Sequence, residues 1–326
     1  MDVLDRRLVA ALQVSPRASW GEIARVIGEH ERTVARRLQR LMSEDLLHVT
    51  AIYDDLRTGH GRPVHLHVRV RPGTATKVAM ALRDRPDTRS VYSLTGEADL
   101  GCELVSPSRD LLHDILSEEI TGIDGVLTTQ TQVVLHTFTT VAEWHAPFLT
   151  DQEVAELRPP PGAACLPDED GLSPLEQEIA ELLAADGRIA FTSIAERLDI
   201  SLPTARRRVA SMLDRRLLLL RAEIEPALLG LEVEAKLWLK VRPHGLDSVG
   251  HALAAHPYVR YCAATSGSHS VIVQVVAAHE AGLYRFLTNV VGPLDDVTDI
   301  NVTLITRAHK RGHLRKSGLL TLEKTP

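Results

Sequence analysis

The stretch Glu31-Arg32-Thr33-Val34-Ala35-Arg36-Arg37-Leu38-Gln39-Arg40-Leu41 decides how this chain is read. Val34, Leu38 and Leu41 fall at helical spacing and form one apolar stripe. Arg32, Arg36 and Arg40, at i, i+4 and i+8, form a second stripe, flanked by Thr33 and Arg37. Such a helix packs on one face and presents cations on the other. Upstream, Leu4, Leu8, Ala11 and Leu12 make the stripe of a first helix, and Trp20 to Ile27 a second, joined to the basic helix by the tight connection Gly28-Glu29-His30. Three short helices with a turn before a basic third are the pattern of a helix-turn-helix, whose third helix enters the major groove.

The pattern occurs twice. Laying Arg36-Arg37 over Arg207-Arg208 gives an offset of 207 − 36 = 171, and the same offset brings Leu4 over Leu175, Arg17 over Arg188, Ile23-Ala24 over Ile194-Ala195, Thr33 over Thr204, Val70-Arg71-Pro72 over Val241-Arg242-Pro243 and Gly96 over Gly267. The chain is a tandem duplication. In the second basic helix Ala205, Val209 and Met212 face inward and Thr204, Arg207, Arg208 and Ser211 outward. Ser201 is its N-cap and Pro203 sits in the first turn, where a missing N–H costs little. The residues read as DNA contacts are Arg32, Thr33, Arg36, Arg37, Arg40, Ser201, Thr204, Arg207 and Arg208.

Each head is followed by an alternating strand (Val64 to Val70; Val233 to Val241), a helix ending before Pro86 or Pro257, and two strands around a glycine turn (Val91 to Thr95 and Leu100 to Val105 in the first copy). A helix from Arg109 to Ile120 and a strand from Val126 to Phe138 complete a βαββαβ, ferredoxin-like unit. The fold class is therefore α+β, with two winged-type helix-turn-helix domains alternating with two ferredoxin-like domains. Expected boundaries are 1-54 and 173-226 for the heads, 60-143 and 230-316 for the companion domains, and 144-172 for a linker that carries Arg158-Pro159-Pro160-Pro161-Gly162 and Asp168-Glu169-Asp170-Gly171. In the turn Thr95-Gly96-Glu97-Ala98-Asp99, glycine frees backbone N–H groups that suit a carboxylate and Asp99 suits an ammonium, an arrangement for an amino-acid zwitterion that competes with an ordinary β-turn. The candidate effector residues are Thr95, Gly96, Glu97, Asp99 and, in the second copy, Gly267.

Composition narrows the classes further. A charge of −6 over 326 residues does not oppose nucleic-acid binding when the arginines are this local. Aromatic content of 4% argues against base-stacking RNA platforms. The three cysteines lack any CxxC pair, and Cys102 and Cys262, in strand-like runs, read as inert buried thiols. His65 and His67 project to one side of a strand with no third ligand in view, and Gly59-His60-Gly61 lacks the lysine of a phosphate loop, so neither cofactor, metal nor catalytic residue is expected. The run Arg307-Ala308-His309-Lys310-Arg311-Gly312-His313-Leu314-Arg315-Lys316 reads as a solvated basic tail in preference to one that touches phosphates. With a mixed-charge N-terminus and no membrane-length apolar run, the expected location is the cytoplasm.

A head carrying Leu4-Asp5-Arg6-Arg7-Leu8 and Glu22-Ile23-Ala24, followed by βαββαβ with Thr95-Gly96-x-x-Asp99 between the middle strands, resembles the Lrp/AsnC family, the feast/famine regulators. The resemblance covers nearly the whole chain, twice. It implies transcriptional regulation, with double-stranded DNA and a small effector such as an amino acid as partners, self-association of chains, and an α+β domain that both pairs subunits and senses metabolites. Members usually carry one copy, so one chain here would stand for a dimer, placing two recognition helices roughly 10 bp apart on one face of the duplex. The second turn, Thr265-Ser266-Gly267-Ser268-His269-Ser270, lacks the aspartate, so the halves are expected to be unequal. Siroheme decarboxylases resemble this family too, but their His-Asn-Tyr-x-Arg-x-His and Asn-Met-Trp-Phe patterns are replaced by Val91-Tyr92-Ser93-Leu94-Thr95 and Tyr261-Cys262-Ala263-Ala264-Thr265. A sensor or adaptor that has lost DNA binding is the other alternative, prompted by the near-balanced charge of the heads as wholes.

Overall fold

In the computed structural model, residues 1–158, 171–312, 314–316 and 322–324 are described. The first head is α1 (Val3–Val14), α2 (Trp20–Ile27), α3 (Glu31–Ser43) and β1 (Leu47–Tyr53). The first companion domain is β2 (Arg62–Val70), α4 (Ala75–Asp84), β3 (Thr88–Leu94), β4 (Leu100–Ser106), α5 (Arg109–Asp114) and β5 (Val126–Thr139). After α6 (Asp151–Leu157) the second head follows as α7 (Pro174–Ala185), α8 (Phe191–Arg197), α9 (Leu202–Asp214) and β6 (Leu218–Ile224). The second companion domain is β7 (Val233–Val241), α10 (Leu246–Ala254), β8 (Val259–Thr265), β9 (Val271–Ala277), α11 (Glu280–Phe286) and β10 (Val297–Arg311), trailed by β11 (Leu314–Lys316) and β12 (Leu322–Lys324). Like segments share a unit: both heads fold together (1–61 and 145–224), and so do both companion domains (62–144 and 225–325).

In the head unit local sequence sets the helix ends. Ser19 and Glu22 form a capping box at α2, and Gly28 ends that helix at φ +79. Ser173 and Glu176 cap α7, with Pro174 in the first turn. Leu8, Leu12, Ile23, Val34 and Leu38 are fully buried, so the stripes read from sequence do meet. The wing takes a form that periodicity does not reveal. Each head supplies one strand, and β1 pairs antiparallel with β6 from Leu47↔Ile224 to Tyr53↔Leu218, a ribbon shared by the two heads. The expected linker also contributes structure: Thr150 and Glu153 box-cap α6, which packs on α1 and α2 through Arg7–Glu153 (2.5 Å) and Arg25–Glu156 (3.0 Å). Its proline and acidic runs at 159–170 and Cys165 lie outside the described residues.

In the companion unit each copy forms a four-stranded antiparallel sheet with its helices on one face, over cores built on Val64, Leu66, Val68, Leu100 and Leu104 and on Ala235, Leu237, Leu239, Val271 and Val273. The long strands cross between copies: the second half of β5 pairs with β8, and that of β10 with β3. Since β5 also pairs with β2 and β10 with β7, hydrogen bonding closes an eight-stranded ring whose inner face carries the alternate residues of each strand. The basic "tail" is part of that ring. Lys310 is buried with Nζ on the Arg83 and Arg85 carbonyls (3.0 and 3.1 Å), and Arg311 is buried between Glu225 and Glu234.

Candidate nucleic-acid interface and sensor turns

The recognition helices divide their arginines between two tasks. On α3, Arg32 and Arg36 are exposed and Thr33 is half-buried at the first turns. Arg37 turns inward, donating from Nη1 to Asp2 (2.5 Å) and Asp5 (2.8 Å), and Arg40 reaches the other Asp5 oxygen at 3.1 Å while remaining half exposed. Asp5 lies on α1 and is only 3% exposed, so two arginines ground α3 on the first helix. The second head repeats the device: Glu176, at the place of Asp5, receives Arg208 at 3.6 Å and Arg215 at 3.2 Å. Burial works against the Glu176 charge, but Ser173, Arg215 and Arg208 hold its pKa below the usual carboxylate range. Of the two arginines expected at the DNA surface, Arg37 is thus turned mainly into the head, while Arg208 stays half exposed beside its longer ion pair. Arg36 and Arg207 remain exposed at equivalent positions, without an ion pair among the described residues. Ser201 and Thr204 share a hydrogen bond of 2.9 Å at the start of α9, and Arg206, which lies outside the outward stripe expected from sequence, is exposed with its guanidinium 5.8 Å from the Phe191 ring.

A reciprocal lock joins the heads. Arg17 donates to the carbonyls of Gly187 (2.8 Å) and Ile189 (3.0 Å) and lies 4.5 Å from the Phe191 ring centre. Arg188 donates to those of Pro16 (2.7 Å) and Ala18 (2.9 Å) and lies 4.0 Å from that of Trp20. Every partner in one set is the repeat equivalent of its counterpart, so the two-fold relation of the heads is written in matched contacts. Matching Arg17 with Arg188 by the offset was the sequence signal for this lock, although neither was read as functional.

At the glycine turns the structure assigns local duties to residues expected to meet an effector. Asp99 accepts the Val70 N–H at 2.8 Å, ending β2, and Ser270 accepts the Val241 N–H at 3.0 Å in the second copy. The missing aspartate is therefore replaced in this role by a serine. Thr95 accepts from the Leu304 N–H (2.9 Å), and Ser266 from the Val133 N–H (2.9 Å), each clipping the other copy's long strand. Gly96 and Gly267 have φ of +90 and +97, and a Cβ there would stand 3.6 Å from Thr303 and 3.3 Å from Gln132 respectively. Glu97 stays exposed. The turns are thus joints between sensors.

The ring's inner face is polar and unequal between copies. His65 meets Tyr261 Oη at 3.1 Å, and the His67 ring lies 4.1 Å from that of Trp238. Burial, with Lys236 nearby, lowers the His67 pKa to about 4 and that of His65 well below its usual value, so both are neutral near pH 7. Glu234 bonds Arg260 (2.7 Å), Arg311 (2.5 Å) and Gln274 (2.6 Å). Burial opposes its charge, yet the two arginines hold its pKa far below the carboxylate range. Beside this network, Glu225, Leu231, Glu232, Arg307 and Arg311 line a cleft of about 330 Å³. Cys102 and Cys262 are buried, and burial pushes both thiols up to about 12. Among the described residues no group of three or more His, Cys, Asp or Glu could hold a metal, and no helix is long and apolar enough to cross a membrane.

The profile of the Lrp/AsnC ligand binding domain matches residues 64–141 and again 234–314, that of the AsnC-type helix-turn-helix domain matches 1–42, and a winged helix-turn-helix DNA-binding profile matches 172–218. The transcriptional regulator FL11 of Pyrococcus horikoshii is 29% identical over 138 residues, 42% of this chain and 91% of its own length. The regulator LrpA of the same organism is 29% identical over 128 residues, 39% of this chain and 91% of its own. Each relative thus spans about one of the two copies. Over the full length the fold is similar to that of the siroheme decarboxylase NirDL, with a TM-score of 0.61 at 14% identity, covering 95% of this chain and 93% of that one. Matched twice over by the two parts of one family, and built as two heads and two paired ligand-binding domains, the chain belongs to the Lrp/AsnC family.

Proposed function

We propose that this chain is a sequence-specific, DNA-binding transcriptional regulator, acting in the cytoplasm, in which one polypeptide does the work of a family dimer. The observation that carries the reading is the presentation of Arg36 and Arg207, exposed and without an ion pair among the described residues, at equivalent places on two heads held together by the Arg17/Arg188 lock and the β1–β6 ribbon. Two recognition helices fixed relative to one another suit two half-sites on successive major grooves. Heads at 1-54 and 173-226 and sensors at 60-143 and 230-316 are the working boundaries, with 144-172 between copies. A small metabolite, such as an amino acid, acts through the sensors. The Thr95 and Ser266 clips support this, because a ligand that moved a glycine turn would also move the other copy's long strand. Chains associate further, which light scattering would check.

The test is a mobility-shift assay on the DNA upstream of the protein's own coding region, at two salt concentrations. Specific binding that weakens steeply with salt supports the regulator, and absence of specific binding at low salt defeats it. Thermal-shift screening against the twenty amino acids tests the effector class. The whole-length fold likeness to NirDL favours one second reading, a tetrapyrrole decarboxylase. Incubation with siroheme, followed for loss of carboxylate groups, decides it. We expect no turnover, since the decarboxylase patterns are absent from β3 and β8.

A further inference from the structure

We infer that the two heads share one base-reading arginine and differ at a neighbouring contact, so that the operator carries guanine at a common position in both half-sites and at an adjacent position in only one. This rests on the regulator reading above. Arg37 and Arg208 are tied to buried carboxylates on the first helices, and Arg40 is partly tied, which leaves Arg36 and Arg207 as the equivalent exposed cations. A free guanidinium in the major groove pairs bidentately with guanine O6 and N7.

The first turns of the helices, from which base edges are generally reached, are chemically different. In the first head Glu31 folds back toward α2, with its carboxylate oxygen 3.3 Å from where a Cβ on Gly21 would stand. That leaves Arg32 exposed, one turn before Arg36 and on the same face. The second head has Leu202-Pro203-Thr204 in these places. Pro203 is exposed and has no donor, and the Thr204 hydroxyl is occupied by Ser201 at 2.9 Å. What this turn offers is apolar: a proline ring and a threonine methyl, a surface suited to the thymine C5-methyl. Four residues along the helix rise about 6 Å, so the second contact falls one or two base pairs from the first. One half-site therefore reads guanine at both positions, and the other reads guanine at the shared position and thymine beside it.

In vitro selection of the full chain on randomised duplexes tests this, with Arg32→Pro, Pro203→Arg, Arg36→Ala and Arg207→Ala as variants. Each swap places at one helix a residue the other already accepts at that position, and circular dichroism confirms the fold. For the parent, the expected logo is an inverted repeat matched at one guanine and unmatched beside it. Pro203→Arg should extend guanine to the second half-site and raise affinity for the strict palindrome about tenfold, and Arg32→Pro should abolish the extra guanine with a loss of similar size. Arg36→Ala and Arg207→Ala should each erase the shared guanine from one half-site. Strictly palindromic logos from the parent overturn the inference, as does an Arg32→Pro variant that weakens every sequence equally with a shallower salt slope, the mark of a phosphate contact. If no sequence is enriched even at low salt, the regulator reading fails first.

Discussion

Replacing Arg188 by alanine should loosen the head pair by about 2 kcal/mol, and the structure says where. The side chain makes two charge-assisted hydrogen bonds to carbonyls, at 2.7 and 2.9 Å, and lies 4.0 Å from the Trp20 ring centre. Hydrogen bonds to charged groups contribute ~1.5–3 kcal/mol net and a partly exposed cation–π contact about 0.5–1 kcal/mol. Against this stands the cost of burial, which lowers the Arg188 pKa, with the Arg17 charge adding to the effect. Half-buried carbonyls also recover some solvation once the side chain is gone, so the lower part of the range is the expected outcome. Native-state hydrogen exchange on the full chain is the assay. Amides of β1 and β6 should exchange roughly 30-fold faster, since ~1.4 kcal/mol is tenfold, while those of β2 and β4 serve as the internal reference. Arg17→Ala should act alike. The double variant should lose more than the two single losses summed, because each single change already removes the whole repulsion between the guanidiniums and the double gains that relief only once. Protection of β1 and β6 within twofold of the parent would refute the lock as the joint of the heads.

Glu234→Leu would leave Arg260 and Arg311 buried without their shared carboxylate, and should cost about 3–5 kcal/mol, seen as a lower urea midpoint. Gly250→Ala would set a Cβ 2.2 Å from the Phe138 ring of the other copy; a loss of about 1–3 kcal/mol in thermal denaturation is expected, with partial recovery when Phe138 is also replaced by alanine. For pH, the folded-state His67 pKa lies below its unfolded value. The unfolded chain therefore takes up the proton first, and stability should be full above about pH 6.5 and decline as pH falls toward 4, by up to ~3 kcal/mol from this residue. His67→Gln should flatten that part of the urea-midpoint profile, and an unchanged slope would remove His67 as its source.

The duplication, the helix stripes and the strand order were legible because each is local: periodicities of 3.6 and 2 and a fixed offset need no knowledge of distant partners. What was not legible is what depends on pairing across the repeat. The β1–β6 ribbon and the crossing of β5 and β10 leave no periodic trace, since a strand that pairs with its own copy and one that pairs with the other share one alternation. The arginines misled for a related reason. Arg36 and Arg37 are consecutive, only 100° apart on the helix, and which one turns in was decided by Asp5 on another helix. A sequence clue did exist, in that an acid at position 5 or 176 recurs with an arginine at 37 or 208. Lys310 and Arg311 read as solvated because their partners, the Arg83 and Arg85 carbonyls for the one and Glu225 and Glu234 for the other, come from before the strand they meet.

The pattern of matched and unmatched contacts shows what fusing two copies permits. In an association of identical chains every residue at the joint appears twice, so a buried lysine on the inner face would come with a second one. Here the position of Lys236 is His65 in the other copy, that of Gln274 is Glu103, and that of Tyr261 is Ser90. The Lys236 ammonium is buried 5.0 Å from the Tyr92 ring, and the attraction of Glu103 and Glu234 partly offsets what burial costs it. Identical chains, carrying one residue type at both places, could not set lysine against histidine in this way. Several of the contacts that hold the copies together are kept in matched pairs: Arg17 with Arg188, Thr95 with Ser266, Gly96 with Gly267. Diverged residues include those on the inner face and on the first turns of the recognition helices. Assembly is thus left two-fold while two surfaces that need not be symmetric have been released from symmetry, and the base-reading difference between Arg32 and Pro203 is one consequence of that release.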